Sequence, residues 1–324
     1  MAIDVYVVGL NETGCSISLA MDGLGEDVVV TGFDPEPPVS RAARKAGTVK
    51  RISLDMVKPA RNADLVFLCL PAAETPDALQ HIAPVLKENS IVFDMAPLKG
   101  AYMSDVLDRF PEGRTYVGAV PAISPWALAA EPAETGEGRP DLFEDGSMAL
   151  VIAPNTSEEV VNRIMGVVKA LGAEPFFVDA GEVDGMTAVV RELPILAAAG
   201  YLNSLAVEPG WKEAQRLASR EFFSLGRLTA MAESPDLAGE LLQNSRVVQH
   251  RLQNLIDSLE RMKGLLENGE QDELETVLGN AGAMFEGWHG SKQTRDWSRQ
   301  AMPRAEMPKQ SLLASLLGIR PRKK

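Results

Sequence analysis

Residues 3 to 16, Ile3-Asp4-Val5-Tyr6-Val7-Val8-Gly9-Leu10-Asn11-Glu12-Thr13-Gly14-Cys15-Ser16, pass from a β-branched apolar run straight into a glycine-bearing turn. Such a run reads as a buried strand, and the residues from Cys15 to Gly23 read as the helix behind the turn. A strand, a glycine turn and a helix N-terminus together present free backbone N–H groups to a pyrophosphate. The glycine fingerprint for that task is G-x-G-x-x-G, and here Asn11 stands at its second glycine. Asn tolerates a left-handed backbone better than most residues, so the turn is expected to survive the change. Val28 to Phe33 reads as the next strand, and Asp34 ends it twenty residues past Gly14. A carboxylate there accepts the adenosine ribose hydroxyls and repels a 2′-phosphate, so NAD is expected ahead of NADP. The expected cofactor contacts in this stretch are Gly9, Leu10, Asn11, Glu12, Thr13, Gly14 and Asp34.

Working outward, strands and helices alternate as far as Asp179, the pattern of a doubly wound, mainly parallel α/β sheet. Strands are expected over 64–70, 90–93, 115–120, 148–153 and 175–178, with helices over 75–86, 101–110 and 157–171. Ser157 is placed to cap the last of these. Ligands of such sheets sit at the strands' carboxyl ends. Leu70, Pro71 and Asp94 are therefore added to the cofactor contacts, with Lys99 beside them. Glu131 to Pro140 interrupts the alternation and reads as a surface loop or lid. Beyond Val183 helical spacing takes over, with a long first helix, 183–206, kinked at Pro194. The expected division is a dinucleotide-binding domain, 1–180, an all-helical domain, 181–289, and a basic tail, 290–324.

Composition narrows the function classes. A chain of 324 residues that is 45% hydrophobic can bury a large core. The net charge of −13 divides into +7 over residues 290–324 and −20 over the rest, and so acidic a body argues against nucleic-acid binding. The tail's apolar run, Ser311 to Ile319, has the make-up of a short amphipathic helix, although a frayed terminus is the plainer reading. Cys15 falls at an expected helix start and Cys69 in an expected buried strand, which suggests a reducing compartment rather than a disulfide. With a strand starting at residue 3 and no long apolar run, neither a signal peptide nor a membrane span is expected, and the location reads as cytoplasmic. No metal site is expected.

Several pieces in order carry a family resemblance: Gly9 to Ser16, Asp94 to Lys99, Tyr116 to Pro121, Leu142-Phe143, and Leu171-Gly172-Ala173. Further along come Glu182-Val183-Asp184, Glu192-Leu193-Pro194, Glu221 to Leu228, and Ser234-Pro235 followed by Asn244. Over residues 2 to about 268 the chain resembles the prephenate dehydrogenases, NAD(P)-dependent enzymes that oxidatively decarboxylate prephenate or arogenate on the way to tyrosine. The resemblance implies a homodimer formed through the helical domain. It also implies that Arg227 holds a substrate carboxylate, a task suited to a forked guanidinium.

The same comparison exposes departures. The family's histidine, which accepts the substrate's hydroxyl proton, corresponds to Val120, and its serine partner to Pro97. Further histidines of the family correspond to Val183, Glu192 and Ile195. Losing a general base typically costs about 10²- to 10⁴-fold in rate. Lys99 and Glu192 are the candidates to replace it, with Arg191 and Trp126 as substrate contacts beside Arg227. The leading expectation is an NAD(P)-dependent oxidoreductase with an altered site acting on a small carboxylate-bearing substrate. The alternatives are a true prephenate or arogenate dehydrogenase with a substitute base, and a non-catalytic NAD-binding or regulatory protein.

Overall fold

The computed structural model describes residues 2–229 and 235–297. Its first compact unit, residues 1–255, is built on one eight-stranded sheet. The strands are β1 (Ile3–Val8), β2 (Val28–Phe33), β3 (Arg51–Ile52), β4 (Leu65–Leu68), β5 (Ile91–Asp94), β6 (Thr115–Ala122), β7 (Ser147–Val151) and β8 (Glu174–Phe177). They lie in the order β3-β2-β1-β4-β5-β6-β7-β8. Every pairing is parallel except that of β6 with β7. The expected doubly wound, mainly parallel sheet is therefore the observed one.

The central strands β4 and β5 and most of β1 are buried, as expected where both sheet faces are covered. Along β1 successive side chains go to opposite faces. Val5 and Val7 join one buried cluster with Phe67 and Phe93, while Tyr6 and Val8 join the other with Val66, Leu68 and Val92. The strand order reverses at β1, between β2 and β4, which opens the ligand crevice at the ends of β1 and β4.

Helices α1 (Glu12–Asp22), α2 (Pro37–Ala46), α3 (Thr75–Ile82), α4 (Met103–Arg109) and α5 (Glu158–Ala170) connect the strands. Ser157 caps α5 as expected, its hydroxyl accepting from Val160 N at 3.4 Å. Helix α3 is shorter than its sequence pattern suggests. Pro84 has no N–H to continue the ladder, so a 3-10 turn, Ala83–Val85, follows instead. Helix α2 and the two-residue β3 were not anticipated. Pro37 starts α2, where its missing N–H costs nothing, and Gly47 ends it with φ +79°.

After β8 every described element is helical. Asp179 caps α6 (Ala180–Thr187), its carboxylate accepting from Glu182 N at 2.7 Å while Glu182 accepts from Asp179 N at 3.0 Å. A π-helical turn, Ala188–Glu192, leads directly into α7 (Leu193–Leu205). The expected single helix over 183–206 is thus divided by a π turn that ends two residues before Pro194. Helices α8 (Trp211–Ala214), α9 (Arg220–Gly226), α10 (Pro235–Gln243) and α11 (Ser245–Asn268) follow.

The second compact unit comprises residues 256–324. It holds the rest of α11 and α12 (Gln271–Thr294), tied by an ion pair of 2.7 Å between Arg261 and Glu273. Met284, Phe285 and Trp288 are exposed on α12. Among the described residues no helix is long and apolar enough to cross a membrane. The basic tail beyond residue 297, including the Ser311 to Ile319 run, lies outside the described residues.

Candidate nucleotide and substrate site

The turn after β1 is built around close backbone approach. Gly9 has φ +90°, and a Cβ on it would meet the carbonyl of Cys69 at the end of β4. A Cβ on Gly14 would meet the carbonyl of Gly9. Neither position admits a side chain. Asn11 does something other than tolerate a left-handed turn. Its backbone is extended, and its side chain caps α1 by accepting from Gly14 N at 3.0 Å. Its amide then donates to Cys69 O at 2.9 Å, which pins the turn to β4. Of the first amides of α1, those of Glu12 and Thr13 have no protein acceptor among the described residues. Two free N–H groups at the start of an eleven-residue helix, in a turn with no room for side chains, fit a pyrophosphate.

Asp34 stands beside this turn and braces it, accepting from Leu10 N at 2.7 Å and from Glu36 N at 2.8 Å. It also borders a cleft of about 300 Å³ shared with Phe33, Ser40, Ile52 and Ser53. Leu70 and Pro71 follow β4, with Leu70 buried and the Pro71 carbonyl accepting from Thr75 N at 3.1 Å.

Asp94 and Lys99 are placed differently from the cleft-lining positions expected of them. Both are fully buried. Asp94 accepts from Ala96 N at 2.9 Å and from the hydroxyls of Tyr102, at 2.7 Å, and Tyr116. Lys99 Nζ lies 3.3 Å from Asp94 Oδ2 and donates to the Ala96 carbonyl. The lysine's methylenes cross Gly118, where a Cβ would come within 2.9 Å of Lys99 Cδ. Burial pulls the Lys99 ammonium below its ordinary range, against the attraction of Asp94. All four donors around Asp94 come from the protein, so in this arrangement the carboxylate braces the fold. The convergence of Tyr102 and Tyr116 on it carried no sequence signal beyond their being tyrosines.

The helix that starts at Asp179 packs against the same loop. Asp184 accepts from Lys99 N at 2.7 Å and Gly100 N at 2.8 Å, and Thr187 Oγ1 donates to Pro97 O at 2.9 Å. One turn farther, Glu192 is fully buried at the end of the π turn. Its Oε2 accepts from Asn244 Nδ2 at 2.7 Å, and its Oε1 has no partner among the described residues. Burial raises its carboxyl above the ordinary range, with Asn244 and Arg191 opposing. Arg191 faces elsewhere, bonded to Glu240 at 2.5 Å. Asn244 also donates to the Asp184 carbonyl at 3.1 Å, a clamp role that only its place in the family pattern hinted at.

The raised carboxyl of Glu192 makes stability depend on pH with a definite sign. The unfolded chain ionises Glu192 in the ordinary carboxylate range, while the folded chain holds the proton to higher pH. The wild type therefore loses the Glu192 contribution across that window, and Glu192→Gln has no such contribution to lose. Denaturant unfolding should show the variant gaining on the wild type as pH rises from the acid side. A pH-independent difference would contradict the assigned shift.

Trp126, Arg227 and the stretch from Glu131 to Pro140 form a second group. Arg227 Nη2 bonds Glu131 Oε2 at 2.8 Å, and Arg139 Nη2 bonds the Glu131 carbonyl at 2.8 Å. The Arg139 guanidinium lies 5.4 Å over the half-exposed Trp126 ring. The same stretch is fastened to α1, since Ala133 N donates to Glu12 Oε1 at 3.1 Å and Arg139 N to Ser16 Oγ at 2.9 Å. The loop read from the sequence is thus a strap bonded to both the glycine-turn helix and the candidate substrate arginine. His81 is exposed and His289 half-buried, and neither is hydrogen-bonded to any group named above. Among the described residues no cluster of His, Cys, Asp and Glu could hold a metal ion.

Comparison with known proteins adds an independent finding. Residues 17–176 match the family model of the prephenate dehydrogenase nucleotide-binding domain, and residues 179–280 match that of its dimerization domain. A prephenate dehydrogenase of Lactococcus lactis is 25% identical over 261 residues, covering 80% of this chain and 70% of its own length. The Bacillus subtilis prephenate dehydrogenase is 20% identical over 273 residues, 83% of this chain and 72% of the relative. Among solved structures, the A. aeolicus prephenate dehydrogenase in complex with hydroxyphenyl propionate and NAD+ superposes with a TM-score of 0.74 at 18% identity, covering 88% of this chain and 98% of that one. The Synechocystis arogenate dehydrogenase superposes with a TM-score of 0.70 at 22% identity, covering 88% of this chain and all of that one.

Proposed function

The chain belongs to the prephenate dehydrogenase family, and from that premise we propose that it is an NAD-dependent dehydrogenase in which Glu192 takes over proton transfer. The observation that carries this reading is the Glu192 carboxylate, fully buried with one oxygen unpartnered among the described residues, on a π turn that follows the helix packed against the loop after β5. A buried polar atom without a partner is costly, and π turns recur at functional sites. Glu192 occupies a position where the family carries a histidine, whereas Val120 and Pro97, at the family's histidine and serine positions, can move no proton.

The nicotinamide, when bound, supplies the hydride acceptor. Arg227 holds the substrate carboxylate through its forked N–H groups. Glu192, in its ionised form, accepts the hydroxyl proton as the carbon bearing that hydroxyl gives up its hydride with two electrons. A carboxyl raised towards the working pH suits this exchange better than an unperturbed one. The amides of Glu12 and Thr13 and the carboxylate of Asp34 bind the nucleotide, and the acid at Asp34 favours NAD over NADP. Asp34→Ala should weaken NAD binding more than NADP binding in a calorimetric titration, and equal weakening would sink the ribose assignment.

Prephenate or arogenate as the substrate is the second reading, favoured by the match to both family domains. The matched dimerization domain and the exposed Met284, Phe285 and Trp288 support a homodimer through the helical domain. Two free, buried cysteines suit a reducing compartment such as the cytoplasm. Formation of reduced nicotinamide, followed by its absorbance with prephenate, arogenate and a panel of hydroxy acids, tests the function. Turnover of a panel member supports the proposal, and turnover of prephenate or arogenate selects the second reading. Tight NAD binding with no turnover of any compound would leave a non-catalytic NAD-binding protein.

A further inference from the structure

Helices α3 and α4 pack on the same face of the sheet and leave a cleft of about 330 Å³ between them. It shares no residue with the nucleotide turn or with the substrate contacts. Both helices are cut short beside it. Pro84 turns the end of α3 into a 3-10 turn, and α4 stops at Arg109 because Phe110 is held extended ahead of Pro111. Leu79, Ala83, Val106 and Phe110 give the cleft apolar walls. Tyr102 also lines it and is nearly buried, but its hydroxyl is directed at Asp94, at 2.7 Å, and at Leu98 O, at 3.0 Å. The cleft therefore meets the tyrosine ring and not its phenol group.

The two charged residues of the lining, Asp105 and Arg109, are exposed and stand one helical turn apart on α4. Side chains at that spacing are neighbours, about 5–6 Å apart at Cβ, and opposite charges there commonly pair. Here they do not. Among the described residues neither side chain has an ion-pair or hydrogen-bond partner. An apolar cleft edged by an unpaired anion and an unpaired cation complements a small molecule with an apolar body and both charges at one end. We propose that this cleft binds an apolar α-amino acid. The ammonium sits on Asp105, the carboxylate on Arg109, and the side chain lies against Leu79 and the Tyr102 ring. A leucine-sized ligand suits the volume, which is at the lower end of small-molecule sites, about 300–1,000 Å³. Nothing in the apolar walls would pair with a polar side-chain tip, so polar amino acids are disfavoured.

The proposal is tested by calorimetric titration of L-leucine into the full chain at neutral pH. Two analogues are titrated beside it, 4-methylpentanoate and 3-methylbutylamine, which keep the apolar body and carry one charge each. Leucine should bind more tightly than either, by roughly 1.4- to 5-fold for each exposed ion pair gained. Asp105→Asn should weaken leucine and the amine by a similar factor and leave 4-methylpentanoate unchanged. Arg109→Gln should weaken leucine and 4-methylpentanoate and leave the amine unchanged. Both side chains are exposed, so neither change should disturb the fold. Arg227→Ala should bind leucine as the wild type does. Loss of leucine binding in Arg227→Ala, with both cleft variants binding normally, would place the amino acid at Arg227 and overturn the proposal. The absence of leucine binding to the wild type would overturn it as well, leaving Asp105 and Arg109 as complements to the dipole of α4.

Discussion

Lys99→Met is expected to lower the stability of the folded chain by about 3–5 kcal/mol, the typical cost of stripping one partner from a buried ion pair. Methionine can fill much of the space that the lysine methylenes occupy over Gly118, so little of this loss comes from packing. It comes from Asp94, which is fully buried and would keep its charge with only neutral donors around it. Desolvation of the lysine opposes the pair, and a buried ion pair is in general weak evidence of net stabilisation. Removing both charges should therefore be far milder than removing one. Asp94→Asn combined with Lys99→Met should recover most of what the single change loses, and equilibrium unfolding in urea would measure both. A single-variant loss below about 1 kcal/mol, the ordinary value of an exposed pair, would show that Asp94 is not sealed from solvent.

Glu192→Gln is expected to reduce kcat by about 10²- to 10⁴-fold, the usual contribution of a positioned general base. The amide keeps the size of the side chain and can still accept from Asn244, so the helix should stay in place. Nucleotide affinity should be unchanged, because Gly9, Asn11 and the first turn of α1 owe nothing to this residue. That pattern separates a proton-transfer role from a structural one, which would weaken binding and catalysis together. Glu192→Asp should recover part of the rate, since it restores the proton acceptor at a shorter reach.

How much of this was legible in the sequence depends on the range of the interactions. Strand β1, its glycine turn and helix α1 were readable because β-branched alternation, turn glycines and helix onset are all local. Ser157 declared itself as a cap for the same reason. Helix α2 was missed because its two prolines resemble a loop, although Pro37 at a helix start is favourable. Lys99 looked like a candidate acid or base at the cleft, yet it lies over Gly118 of β6, a contact no local pattern records. Tyr102 and Tyr116 converge on Asp94 from 8 and 22 residues away, Tyr102 from the start of α4 and Tyr116 through the pairing of β5 with β6. Glu131 was recognised as the start of a loop, but its bond to Arg227 spans 96 residues. Asn11 was read as a blemish in a fingerprint, whereas its side chain is what fastens the turn to β4.

The central claim is that a buried glutamate does the work of the family's histidine in an active dehydrogenase. The pH dependence of kcat/KM, compared between the wild type and Glu192→Gln, tests it most directly. The account predicts that the wild-type rate falls on the acid side with a limb displaced above the ordinary carboxylate range, following the raised Glu192 carboxyl. In the variant that limb is absent and the residual rate is flat across the same range. An identical acid limb in both proteins would assign the proton to another group and contradict the account.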